Sequence, residues 1–168
     1  LDESASDADT LFFRMDDHPS RLIIQRAEQD KLIAVGWEFA DKSAYENVIA
    51  ALKNADAPVN MGDQAGANYR GVSEYALSAD PSGNPFEVYH SRTNCRADFI
   101  SPLDIKAFVT GDMGMGHAVI PAPNTDQTHA FYKDILGFGD SDNLTLPPPA
   151  EGAPEMNIRF MHASNPRH

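Results

Sequence analysis

The segment "GMGHAVI", residues 114–120, places a histidine at the head of an apolar strand. An imidazole drawn out of water needs a hydrogen-bond partner or a bound ion, because an unpaired buried polar group costs free energy. His117 therefore reads either as a satisfied core histidine or as a metal ligand. A second cluster, "FEVYH" at 86–90, offers Glu87 and His90 on one strand. Carboxylate and imidazole are hard-metal and borderline-metal donors respectively, so this strand also invites a metal reading. Further on, "MNIRFMHA" alternates Phe160 with His162, which puts the two on one face of a strand. Packing is the expected role for His162, and His168, the last residue, reads as exposed. Cys95 lies in the polar stretch "SRTNCRADF" with no histidine close to it in sequence, so it reads as a loop thiol and not as a nucleophile.

The elements that must position these residues follow from periodicity and turn chemistry. Residues 1–10 are polar and acidic and read as a loop. "LFFRMDD" and "SRLIIQRAE" read as two strands joined around His18 and Pro19, and "KLIAVGWEFA" as a longer one. In "DKSAYENVIAALKNADAP", Tyr45, Val48, Ile49 and Leu52 recur at helical spacing, with Ser43 and Glu46 as a capping box. "VNMGDQAGANYRG" reads as irregular, and "VSEYALSADPSGNPFEVYH" as strand, turn, strand. Residues 91–113 show little periodicity. The pattern then restarts: a strand "GHAVIPA", a helix "TDQTHAFYKDILGF", a proline-rich loop "NLTLPPPAEGAPE", and a strand "MNIRFMHA". The helix has Ala130, Phe131, Ile135, Leu136 and Phe138 as its apolar side, and Gly137 as a left-handed cap. His129 reads as a helix-surface residue and His18 as a turn residue. Strand, helix, strands thus occurs twice, from Lys31 to His90 and again from Gly114. Repeats of this βαβββ kind pair so that their sheets curl around a shared cavity, with His117 on the concave side. Neither end looks like a natural terminus, and the register of the breaks reads as an internal piece of a longer protein.

Bulk properties narrow the partners. The chain has 168 residues, 42% of them hydrophobic, with nine Phe, five Tyr and one Trp, enough for a buried core. A formal net charge of −12 argues against nucleic acid or an anionic membrane surface as partner. No apolar run reaches bilayer length, and a single cysteine fits a reducing, cytoplasmic setting.

Taken in order, "LFFRMDDHPSRLIIQ", "DPSGNPFEVYH", "FVTGDMGMGH", "FYKDILGF" and "NPRH" resemble the type I extradiol ring-cleavage dioxygenases of the vicinal oxygen chelate superfamily, over nearly the whole chain. The resemblance implies an α+β fold of repeated βαβββ modules in curled mixed sheets, incomplete here at both ends. Residues 1–93 would be the remainder of a metal-free domain, 94–113 a linker, and 114–168 the first part of a catalytic domain. It implies Fe(II) held by two histidines and a glutamate, of which His117 matches the first. The second histidine and the glutamate belong to a module this sequence does not contain. The family's acid–base histidine follows His168, so it too is missing. Val119 and Phe160 match positions lining the catechol pocket. A triad of this kind leaves adjacent iron positions for two catechol oxygens and O2. The implied partners are a catecholic substrate and O2, and an open half-cup predicts a homo-oligomer. In the segment 31–90 Glu87 falls where a ligand glutamate would lie, but Gly36 and Trp37 stand where a histidine would be needed, so a vestigial, metal-free cavity is expected there. Two rivals stay open: a non-catalytic small-molecule-binding protein of the same superfamily, and another of its metal enzymes, such as a glyoxalase or epimerase.

Overall fold

The computed structural model describes residues 2–3, 8–94, 98–101, 103–105, 107–148, 150–153 and 155–165. Cys95 and His168 lie outside the described residues. Among the described residues the strands form three sheets. In the first, strands β1 (Asp2–Glu3), β2 (Thr10–Arg14) and β3 (Leu22–Gln25) pair antiparallel in sequence order. The acidic start is therefore not all loop: Asp2 pairs with Arg14 on β2.

The second sheet forms a complete unit. Its order is β4 (Val35–Phe39), β7 (Pro85–His90), β6 (Glu74–Ala79) and β5 (Asn60–Met61), with helix α1 (Lys42–Asn54) after the opening strand. β4 lies parallel to β7, and the other neighbours are antiparallel. A parallel pair needs a crossover, and α1 is part of it. The opening strand is shorter than "KLIAVGWEFA" suggests, because Leu32 and Ile33 stay exposed outside the ladder. The α1 cap also differs from the expected box: Asp41 accepts from the Ala44 amide at 2.8 Å. The core face of α1 is as expected, with Tyr45, Val48, Ile49 and Leu52 all buried. The stretch read as irregular holds β5 and a second helix, α2 (Gln64–Arg70), capped by Asp63 and ended by Gly71.

A second strand–helix–strand series follows but is not the same in detail. Helix α3 (Thr125–Asp134) precedes an antiparallel pair, β8 (Gly139–Leu146) and β9 (Met156–His162). "NLTL" thus belongs to a strand, while Gly137 does take a left-handed φ of 79°. Among the described residues the segment "GHAVIPA", read as a strand, joins no ladder. In the complete unit the opening strand has one hydrogen-bonding neighbour, the closing strand β7, so the partner of such a segment lies far from it in sequence.

α3 buries its face against the preceding unit. Tyr132 lies edge-on to Trp37 at 6.1 Å between ring centroids and to Phe138 at 5.4 Å, and Phe86 meets Phe131 at 5.9 Å. One continuous core therefore joins α1, β6, β7 and α3. Tyr132 is the buried residue that the apolar-side reading overlooked, and Ala130 is exposed. Among the described residues no helix is long and apolar enough to cross a membrane.

The β2–β3 loop holds the chain that leads towards His117. Arg14 donates to the Asp98 carbonyl, and Arg21 bonds both oxygens of Asp16, the shorter contact being 2.6 Å. Burial pushes the Asp16 carboxyl up, but hydrogen bonds from Arg21, the His18 amide and Thr110 outweigh it and hold the group at about 2. His18 is no exposed turn residue. It is 4% exposed, and burial first, then the charge of Arg21 and Arg92, lowers its imidazole to about 4.

Two predictions follow from this packing. Phe86→Ala removes a ring that touches both α3 and the sheet, and should cost about 4 kcal/mol in urea unfolding. For His18, the unfolded chain binds a proton near 6.5 and the folded chain only near 4. Its contribution is thus complete above pH 6.5 and is lost as pH falls towards 4. The slope in that window should reach about 1.4 kcal/mol per pH unit for one proton, and His18→Gln should flatten it in acid titrations of unfolding free energy.

Candidate functional site

The chain reaches His117 through a sharp turn. After a single 3-10 turn at Gly111–Met113, Gly114 has φ 63° and Gly116 φ 111°. Backbone in that region is open to glycine and strained for residues with a Cβ, so "GMG" is the local reason the strand-like segment starts where it does. His117 and Val119 are exposed, Val119 at 88%. Ile120 is half-buried and packs on the aromatic core, and the Pro121 carbonyl accepts from the Asn84 side-chain Nδ2 at 2.7 Å. Phe160 is half-buried on β9 opposite Asp142. Its neighbour on the same face, His162, donates from Nδ1 to the Ala163 carbonyl at 2.8 Å. The ring of His162 covers Gly139 so closely that a Cβ there would fall 2.3 Å from Nε2. His162 is thus a packing residue.

The sequence reading brings His117, Val119 and Phe160 to one pocket. Neither of two surface cavities in the structure is lined by them. One, of about 390 Å³, lies between Phe12, Pro19 and Tyr69. The other, of about 680 Å³, lies between α3 and the β8–β9 pair, lined by Asp126, His129, Asp140, Asn157 and Arg159. There His129 bonds Asp140 at 2.5 Å and Lys133 bonds the same carboxylate at 2.6 Å. Hydrogen bonds from Lys133 and then His129 hold Asp140 at about 2.

The donors fit iron only in part. Among the described residues nothing hydrogen-bonds the His117 imidazole, so either nitrogen is open to a metal; a facial triad needs two more donors. One group of three candidate ligands does gather, Asp16, Asp17 and His18, all within 4.8 Å. Arg21 already satisfies both oxygens of Asp16 and places a positive charge there, so the group does not suit a cation. His117 is therefore one donor of an incomplete set.

The segment 31–90 gives Glu87 a different partner. Arg70 reaches from α2 to bond both Glu87 oxygens, at 2.6 and 2.7 Å, and its guanidinium lies 4.1 Å over the Tyr75 ring. The Tyr75 ring lies so close to α2 that a Cβ at Gly62 or Gly66 would sit 2.0 or 2.1 Å from it. The glycines read as irregularity are space for this ring. His90 stacks on Tyr45 at 5.0 Å and bonds the Ser91 hydroxyl at 2.9 Å, on the face that holds α1. Glu87 and His90 thus point to opposite faces of the sheet and do not share a site. Sequence reasoning missed Arg70 because its helix was hidden behind glycines; the one signal available was Asp63 standing three residues before Gly66 as a cap.

No family model matches the chain. It is 37% identical over 173 aligned residues to the iron-dependent extradiol dioxygenase of Rhodococcus jostii (strain RHA1), covering all of this chain and 57% of the relative. It is 33% identical over 159 residues to the biphenyl-2,3-diol 1,2-dioxygenase of Paraburkholderia xenovorans (strain LB400), covering 93% of this chain and 52% of the relative. A crystal structure of a catechol 2,3-dioxygenase superposes with a TM-score of 0.82 at 26% identity, over 93% of this chain and 55% of that one. The chain spans about half the length of the curated relatives it matches. Likeness along nearly its whole length, in sequence and in fold, makes the chain a relative of the extradiol dioxygenases.

Proposed function

We propose that this chain forms part of an Fe(II)-dependent extradiol dioxygenase that opens the ring of a catechol such as 2,3-dihydroxybiphenyl or a steroid-derived catechol, using O2. The observation that carries it is the 37% identity to a named iron-dependent extradiol dioxygenase along all 168 residues, with the His117 imidazole exposed and hydrogen-bonded to none of the described residues. Residues 1–93 are the metal-free part, 94–113 the linker, and 114–168 the opening of the catalytic part. His117 supplies one iron ligand, and Val119 and Phe160 give apolar walls to the aromatic ring. Val119, exposed as it is, offers the kind of surface an apolar ligand or a further layer of protein would cover. When bound, iron would bring catecholate and O2 together and let electron density pass between them. Substrate choice would rest on the apolar walls, since most of such a ligand's surface is apolar.

The test compares the 168-residue chain with the full-length protein carrying it, each reconstituted anaerobically with Fe(II). With 2,3-dihydroxybiphenyl and O2, the full-length protein should give the yellow ring-fission product and the short chain none. His117→Ala in the full-length protein should weaken iron retention more than about 100-fold and remove the colour. Iron held undiminished by that variant would overturn the ligand role of His117. Metal-independent binding of the catechol with no oxygen uptake would favour a non-catalytic binding protein instead. Arg70→Met should behave otherwise. It leaves Glu87 without its partner and should cost about 2 kcal/mol of stability, less than for a fully buried pair because both side chains retain some exposure, while iron stoichiometry stays unchanged.

A further inference from the structure

The turn "DPSGNP" between β6 and β7 is built more tightly than a surface connection requires. Asp80 is 5% exposed, and its carboxylate accepts from the Ser82 amide, the Asn84 amide and the Asn84 side chain, at 2.9, 2.9 and 2.8 Å. Its backbone closes the turn with Asn84 at 3.0 Å. Hydrogen bonds to a charged acceptor are the stronger kind, so the Asn84 amide group is held in one orientation.

That rigid turn faces the next unit. Helix α3 has no side-chain cap of its own, although Asn124 stands at the cap position. Its cap residue is tied to the turn instead: the Asn124 amide donates to the Ser82 hydroxyl at 3.2 Å, and the Asn124 side chain donates to the Pro81 carbonyl at 2.9 Å. Ser82 also bonds the buried Thr128 hydroxyl at 2.7 Å. The second Asn84 amide hydrogen goes to the Pro121 carbonyl at 2.7 Å. Among the described residues this is the one hydrogen bond received by residues 115–121, the segment that carries His117.

We infer that the 80–85 turn is a clamp by which one unit sets the position of the His117 segment in the next, with Asn84 as the positioning residue. This rests on the iron-ligand reading of His117. The fixed side-chain amide of Asn84 gives that segment a point of attachment four residues from His117. Asp80 acts through Asn84, whose side chain it holds at 2.8 Å.

The test is 15N relaxation on the 168-residue chain, with Asn84→Ala and Ser82→Ala beside the parent. In the parent, amide order parameters at residues 118–120 and 122 should be near 0.8, and in Asn84→Ala they should fall below about 0.6. Amides of β6 and β7, and the emission of the single tryptophan, Trp37, should not move, since the aromatic contacts between the units remain. Ser82→Ala removes a bond to α3 but leaves that to Pro121, so order at 118–122 should persist. Parent values already below 0.6, unchanged values in Asn84→Ala, or equal loosening in Ser82→Ala would each overturn the clamp. In the full-length protein loaded with iron, Asn84→Ala should speed iron loss to a ferrous chelator about tenfold. Retained iron there, with His117→Ala losing it, would sink the clamp alone; iron unaffected by either variant would sink the ligand reading beneath it.

Discussion

In a βαβββ unit the opening strand has a single neighbour in the sheet, the strand that closes the unit. Here β4 gives its whole ladder, Val35 to Phe39, to β7 in parallel register. In the second unit residues 117–122 have the composition of a strand, yet among the described residues they form no ladder. Unpaired backbone has to remain in water, and the residues around it stay wet: His117, Ala118 and Val119 are all exposed. Side-chain contacts to the preceding unit do what a ladder would otherwise do.

The packing of α3 follows from what its neighbours offer. Two strands make a marginal sheet, and the β8–β9 pair leaves a polar hollow of about 680 Å³ against α3 and offers it no closed apolar face. The apolar side of the helix turns to Trp37 and Phe86. Edge-to-face aromatic pairs add about 0.5–1.5 kcal/mol each beyond the area they bury, so this cluster is a strong joint. Burial and the nearby Asp80 carboxylate push the Tyr132 phenol up, which keeps it neutral in that joint. The unit that carries Glu87 and Arg70 is in this way the platform on which the His117 segment and α3 are mounted.

What the sequence revealed and what it hid divide along the range of the interactions. α1, β6, the "DPSGNP" turn, β7, α3 and the Gly137 cap were readable because periodicity and turn chemistry are local. The strand at His117 was misread because pairing is not local: an apolar run says that a segment can enter a sheet, and only the neighbour decides whether it does. α2 was lost because Gly62 and Gly66 argue for loop when read alone, and their purpose, room for the Tyr75 ring, lies on another strand. His18 beside Pro19 has every local mark of an exposed turn, yet in the loop closed by Asp16 and Arg21 its imidazole is buried. Of the candidate site, His117 stands out in the sequence as an imidazole in an apolar run, whereas the hydrogen bond from Asn84 to Pro121 does not, since an asparagine in a turn already has a sufficient local reason to be there.

Glu87 and His117 show two answers to one problem. A carboxylate on the inner side of a curled sheet is shielded from water and needs a positive partner. Arg70 is such a partner, tethered to the chain and stacked on Tyr75, and its planar fork meets both carboxylate oxygens at once. A cation supplied by the chain cannot dissociate, so this unit satisfies its carboxylate permanently, at the cost of the open positions that chemistry needs. Tyr75 makes the choice hard to reverse, since the guanidinium rests on its ring and its ring fills the space two glycines leave free. His117 stands in the opposite condition. Among the described residues nothing hydrogen-bonds its ring. On the iron-ligand reading, the division of labour between the units is therefore electrostatic: one neutralises its inner face with its own arginine and becomes a rigid mount, and that rigidity lets the other leave a donor open.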